Sequence, residues 1–142
     1  MMKKAILTKL MSIFCLLFLA IAIVSSVLFV SAKSDYDFAW DSYVELETKS
    51  IEAGENLKEA KSEYILAQIS SPHDTKKQKR SVELCETLEQ LAKNEAQSYW
   101  RSEVVPNEKR KNTFKYGLIA FCSLTAITLT IRIIASKDAA KQ

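Results

Sequence analysis

The sequence predicts an all-α membrane protein in which two transmembrane helices bracket a long antiparallel helical hairpin of coiled-coil type. Three observations predict it. Residues 10–32 and 116–131 carry no charge, runs of 23 and 16 residues in a chain of 142. Between them, residues 33–113 contain one glycine, Gly54, and two prolines, Pro72 and Pro106, so a helix has few places to stop. From Tyr36 onward, apolar residues recur in alternating steps of three and four, the period of a coiled-coil seam.

Residues 1–9 form a short basic tail carrying Lys3, Lys4 and Lys9. The run at 10–32 follows; at 1.5 Å per residue it makes a helix of about 34 Å, which crosses a hydrocarbon core of about 30 Å. Two fates are open to it. The basic start and the small residues Val30, Ser31 and Ala32 fit a cleaved signal peptide, whereas an apolar core longer than about 15 residues favours a retained anchor. Three lysines precede the run and Lys33, Asp35, Asp37 and Asp41 follow it, which keeps the amino terminus inside.

The second span is expected at residues 114–135. Its charge-free part gives only about 24 Å, but Lys115 and Arg132 at its ends extend outward along their aliphatic stems. Lys109, Arg110, Lys111 and Lys115 before it outnumber Arg132, Lys137 and Lys141 after it, a weak pull toward the opposite orientation. The first helix usually dominates. The expected location is therefore the plasma (inner) membrane, with the amino-terminal tail and residues 136–142 cytoplasmic and residues 33–113 extracytoplasmic. That middle segment holds 13 Lys and Arg against 16 Asp and Glu, so the chain's net +3 comes from its membrane flanks and gives no argument for nucleic acid.

The hairpin is expected as helices 36–69 and 72–105. The first seam reads Tyr36, Ala39, Tyr43, Leu46, Ser50, Ala53, Leu57, Ala60, Tyr64 and Ala67, nine of ten apolar or aromatic. Small residues at alternate positions let a partner helix come close. Ser71 is placed to cap the second helix, Pro72 to sit at its first position, and Asp74 to face the positive end of its dipole. Its apolar face is read as Leu84, Cys85, Leu88, Leu91, Ala92, Ala96 and Tyr99. Pro106 is expected to end it, with 107–112 as a link to the bilayer. Displaced from the seams, Trp40, Val44, Ile51, Ile65, Ile69, Val82, Trp100 and Val104 form a candidate partner face. Lys76, Lys77, Lys79 and Arg80 make a basic tip without the interleaved aromatics that base stacking requires.

Catalytic chemistry finds no foothold. His73 is the only histidine and reads as a solvated turn residue. Cys15 and Cys122 fall in the spans, and Cys85 is a small apolar seam residue. Two glycines in the chain leave no phosphate-cradling loop. Glu83, Glu86 and Glu89 at helical spacing read as a solvated face, and Glu95 as a carboxylate reaching out from the edge of the apolar sector. Cys122, Ala126 and Thr130 recur every four residues, a spacing that permits close packing in a bilayer.

The expectation is a small non-enzymatic two-pass protein whose hairpin mediates protein association, with no cofactor. Its expected partners are membrane lipid and either a second copy, giving a four-helix bundle across a homodimer, or another membrane protein; neither nucleic acid nor a small-molecule substrate is expected. Alternatives are an immunity or inhibitor protein of the envelope, and a pore-forming or lysis protein. The layout resembles the sensor modules of bacterial receptors, though the few residues after the second span leave no output domain.

Overall fold

In the computed structural model, which describes residues 2–72 and 75–140, every described residue except Ser71, Pro72 and Thr75 is helical. Helix α1 runs Met2–Ser70 and α2 runs Lys76–Tyr99. A π-helical turn at Trp100–Val104 joins α2 directly to α3, Val105–Ala140. The chain divides into two compact units, Tyr36–Asn107, and Met1–Asp35 with Glu108–Gln142.

The Tyr36–Asn107 unit is a helical hairpin. On α1 the buried and part-buried positions follow one stripe, Tyr36, Ala39, Tyr43, Leu46, Ser50, Ala53, Leu57, Ala60, Tyr64 and Ala67, with Ser42 and Gly54 part-buried beside it. The stripe of α2 is Val82, Cys85, Glu89, Ala92, Ala96 and Tyr99, again in steps of three and four. Across it, Lys61 Nζ reaches Glu86 Oε1 at 3.0 Å.

This stripe differs from the apolar face read from the sequence. Leu84 and Leu88, expected in the seam, are 61% and 50% exposed, and Leu91 beside them is 59% exposed. Val82, Trp100 and Val104, expected on the outer face, are part-buried or, for Val104, wholly buried. The cause is size. Alanines alternate with larger residues along α1, and α2 meets them with Cys85, Ala92 and Ala96, leaving Leu84, Leu88 and Leu91 outside the contact. Glu89 takes a seam position beside Gly54, where a Cβ on Gly54 would stand in ordinary contact, 3.4 Å from Glu89 Oε1. Lys93 Nζ holds that carboxylate at 2.7 Å.

The connection also differs. Ser71 N–H still bonds the Ala67 carbonyl, so it closes α1 rather than capping α2. Pro72 lies in the turn, and α2 starts four residues later, behind Thr75, whose side chain makes no capping bond. His73 and Asp74 lie outside the described residues. At the other end Pro106 does not stop the helix, and 107–112 is helical rather than a linker. A proline ring collides with the carbonyl four residues back and supplies no N–H. Here the turn ahead of it is widened: Val105 N–H bonds the Trp100 carbonyl five residues back. The opened π-turn displaces the offending carbonyl, and the helix continues.

The wide turn has a second effect, on register. Regular stepping from Tyr99 would bring Glu103, Pro106 and Arg110 to the seam. The extra residue brings Val104, Asn107, Lys111, Phe114, Leu118 and Phe121 instead, all buried or part-buried. One inserted residue thus exchanges Glu103 and Pro106 for Val104 and Asn107 at the head of this stretch, with Lys111 in place of Arg110.

In the other unit the first part of α1 packs beside α3. Cys15, Ala22 and Ala32 are buried and Phe18 and Phe29 part-buried, which continues the stepping of three and four on α1. Lys33 to Asp35 cause no break, because nothing from residue 10 to 53 is glycine or proline. Asp35 accepts a hydrogen bond from Arg110 at 3.2 Å, and the Arg110 guanidinium lies 6.0 Å from the Phe114 ring centroid.

Two outcomes follow from the packing. Deleting Ser102 in a Pro106→Ala background leaves Val104 in register with a regular α-helix, so helicity and melting temperature of the full chain in detergent are expected to hold. Deleting Glu86 from regular α2 throws Val82 and Cys85 out of the seam and is expected to cost about 2–5 kcal/mol. Equal losses from the two deletions would rule out the register role. Separately, Gly54→Ala is expected to raise stability by up to about 1 kcal/mol, since the glycine is helical and the new methyl meets only a flexible carboxylate; calorimetry reads it.

Candidate functional site

The surfaces that could act are those left over by the seam. On α1, Val44, Ile51 and Ile65 each follow a seam residue and are exposed, as is Ile69 near the tip. On α2, Leu84, Leu88 and Leu91 each precede one. In antiparallel helices, residues that follow the seam share one face and residues that precede it share the other. Lys61 and Glu86, which follow Ala60 and Cys85, meet in this way. The two apolar stripes therefore lie on opposite faces of the hairpin.

They differ in charge. The row through the α1 stripe runs Ile51, Glu55, Lys58, Ser62, Ile65, with two ionic residues in its middle. The α2 row runs Ser81, Leu84, Leu88, Leu91, uncharged throughout, and ends at the exposed Glu95. Thr87 beside it turns its hydroxyl back to the Glu83 carbonyl at 2.9 Å. Of the two faces, only this one offers an uninterrupted apolar ridge.

The end of the hairpin away from its turn is aromatic. Trp100 meets Trp40 edge-on with ring centroids 5.8 Å apart, and Tyr43 at 4.9 Å. Trp40 also lies 6.1 Å from Tyr36 and 5.9 Å from Tyr43. Trp100 is thus an internal packing residue, brought inward by its place at the start of the π-turn, while Trp40 keeps an exposed edge. Burial among these rings, with the Glu47 carboxylate four residues on, raises the Tyr43 phenol above its ordinary pKa, so it stays protonated through neutral pH. On the outer surface of α1 the Glu45–Lys49 hydrogen bond, 2.8 Å, lowers the pKa of Glu45 and raises that of Lys49.

At the tip, Lys76, Lys77, Lys79 and Arg80 are all exposed, and Lys79 approaches Glu83 at 4.0 Å. Cys85 is part-buried in the seam, Cys15 is buried, and Cys122 is exposed together with Ala126 and Thr130, so that small-residue row faces away from α1. Among the described residues no group of three His, Cys, Asp or Glu is placed to hold a metal ion.

Two helical stretches are long and apolar enough to cross a membrane. Only 11% and 6% of their most apolar windows are buried within the chain. Each serine and threonine in the run 116–131 turns its hydroxyl to its own helix: Ser123, Thr125, Thr128 and Thr130 bond the carbonyls four residues back at 2.7–2.9 Å, as Thr48, Ser70, Thr87 and Thr113 do outside the run.

The chain matches no family model, no curated protein and no solved structure. What it does is therefore argued from these surfaces alone.

The aromatic cluster yields a stability test. Trp100→Leu keeps apolar bulk but removes two ring contacts, and is expected to cost about 1–3 kcal/mol. Urea unfolding followed by tryptophan emission and helix signal measures it, and an unchanged midpoint would show the cluster to be passive.

Proposed function

We propose that this is a two-pass inner-membrane protein that works by self-association, its hairpin outside the cytoplasm and both ends inside. The observation that carries the reading is the α2 ridge of Leu84, Leu88 and Leu91, half to two-thirds exposed and free of charge. Burying these three side chains on a partner contributes on the order of 1 kcal/mol each beyond what the hairpin supplies.

Copies held in one bilayer by the same two spans share an orientation. Their two-fold axis then runs along the membrane normal, and α2 meets its counterpart in parallel. Each leucine faces its own copy across the axis, which suits a neutral row and penalises the α1 row, where Glu55 would face Glu55. The second, charge-interrupted stripe at Ile51 and Ile65 favours a different protein as an additional partner, and an accessory or assembly role follows from holding it. An envelope-protective role is compatible with the same binding surface, but no residue points to a toxin.

The test is disulfide mapping in native membranes. Single cysteines at Leu84, Leu88 and Leu91, in a chain with its three native cysteines replaced by alanine, are expected to form dimers on mild oxidation. Cysteines at Glu83 and Gln90, on the far side of α2, are expected to remain monomeric. Cross-linking without periodicity, or none, would reject the ridge as a self-association surface, and Leu88→Glu is expected to dissociate the dimer.

A further inference from the structure

A groove of about 360 Å³ lies between α1 and α3 in the apolar unit, a volume in the range that ligand clefts occupy. Leu16, Leu19 and Leu129 form its walls, and Ser12, Thr125 and Arg132 supply its polar atoms. From Ser12 to Leu19 it follows about 10 Å of helix. Arg132 stands immediately after the charge-free run of α3, and Lys9 immediately before that of α1.

Arg132 makes no ion pair among the described residues; the salt bridges of the chain lie elsewhere. An arginine at the edge of a hydrocarbon layer presents a planar fork of five donors to the interface, and a phosphate diester can accept from two of them at once. Apolar walls leading away from such a cation match one kind of occupant. It has an anionic head and a hydrocarbon tail.

We propose that this groove binds one anionic phospholipid, its phosphate on the Arg132 guanidinium with Lys9 nearby on the same side, and an acyl chain along Leu16, Leu19 and Leu129. The site rests on the membrane-spanning reading and is independent of the leucine ridge. It also fits the sidedness given above, because this end of the spans faces the cytoplasmic leaflet, where anionic lipid attracts basic residues. Cys15 forms part of the lining, and its small side chain leaves the groove open. Lysine in place of arginine keeps the charge but loses the two-point contact.

Native mass spectrometry of the full chain, released from detergent with phosphatidylglycerol or with phosphatidylcholine of the same chains, decides it. The expected result is one retained phosphatidylglycerol per chain, preferred by about tenfold or more, because phosphatidylcholine carries the same phosphate diester but adds a choline cation that Arg132 and Lys9 repel. Arg132→Gln is expected to reduce the preference to less than about twofold, and Arg132→Lys to keep part of it. Leu129→Trp, which fills the groove and leaves the charge, is expected to lose the lipid as well. Glycerol phosphate, the head without the chain, is expected not to compete. Equal retention of the two lipids, an unchanged preference in Arg132→Gln, retention by Leu129→Trp, or competition by glycerol phosphate would each overturn the site. Carbonate extraction of each variant separates these outcomes from failure to enter the membrane, which would refute the two-pass reading itself.

Discussion

The close contact of two helices through alanine is the constraint on which the rest of the hairpin depends. Ala39 and Ala60 of α1 and Ala96 of α2 are buried, with Leu57 as the one large residue among them. Small side chains allow the backbones to approach, with Leu46, Leu57 and Val82 as the branched residues among them. Seam residues are therefore selected by volume more than by hydrophobicity. The bulkier apolar residues are forced to the flanks, where they become the ridge of α2 and the broken stripe of α1. Packing of the interior thus creates the surface available for binding.

Register is maintained differently on the two strands. Along α1, steps of three and four run without a skip from Met11 to Ala67, each position buried or part-buried. A strict heptad over that length implies a left-handed supercoil within each unit. The return strand keeps the same rule up to Tyr99 and resumes it at Val104, one residue late. Glu103 would otherwise occupy a seam position, and a buried charge without a partner is expensive. The π-turn spends one residue to put Val104 there instead, and the same widening makes Pro106 tolerable. Proline and π-turn are therefore two parts of a single local solution, since either alone would leave a strained or misphased helix.

This explains which parts were legible in the sequence. The helical class, the hairpin arrangement and the two apolar stretches follow from composition and from the scarcity of glycine and proline. The α1 stripe could be counted because no charge interrupts it between Tyr36 and Ala67. On α2 the same count misleads: Glu89 lies in the seam and three leucines lie beside it, so an eye for hydrophobicity selects the wrong face. Only the pairing of Glu89 with Gly54, 35 residues earlier in sequence, reveals the choice, and that is a tertiary fact. Pro106 misleads for a related reason. Proline stops a regular helix, but a helix that has just taken an i→i−5 hydrogen bond has already moved the clashing carbonyl aside.

Burial sets the final argument. The chain exposes 10871 Å², whereas a folded monomer of 16.1 kDa is expected to expose about 7,400 Å². Among the described residues eight apolar ones are buried, and five of these are alanine, whose single methyl contributes on the order of 1 kcal/mol. Ordering the backbone costs about 1–2 kcal/mol per residue. A seam of alanines does not offset that cost across the hairpin, and the exposed ion pairs add little. Stability must come from outside the seam. For the apolar unit, under the two-pass reading proposed above, a bilayer would supply it by removing its side chains from water. For the hairpin, the ridge at Leu84, Leu88 and Leu91 is the largest uncharged surface α2 has left, so folding and association draw on the same residues.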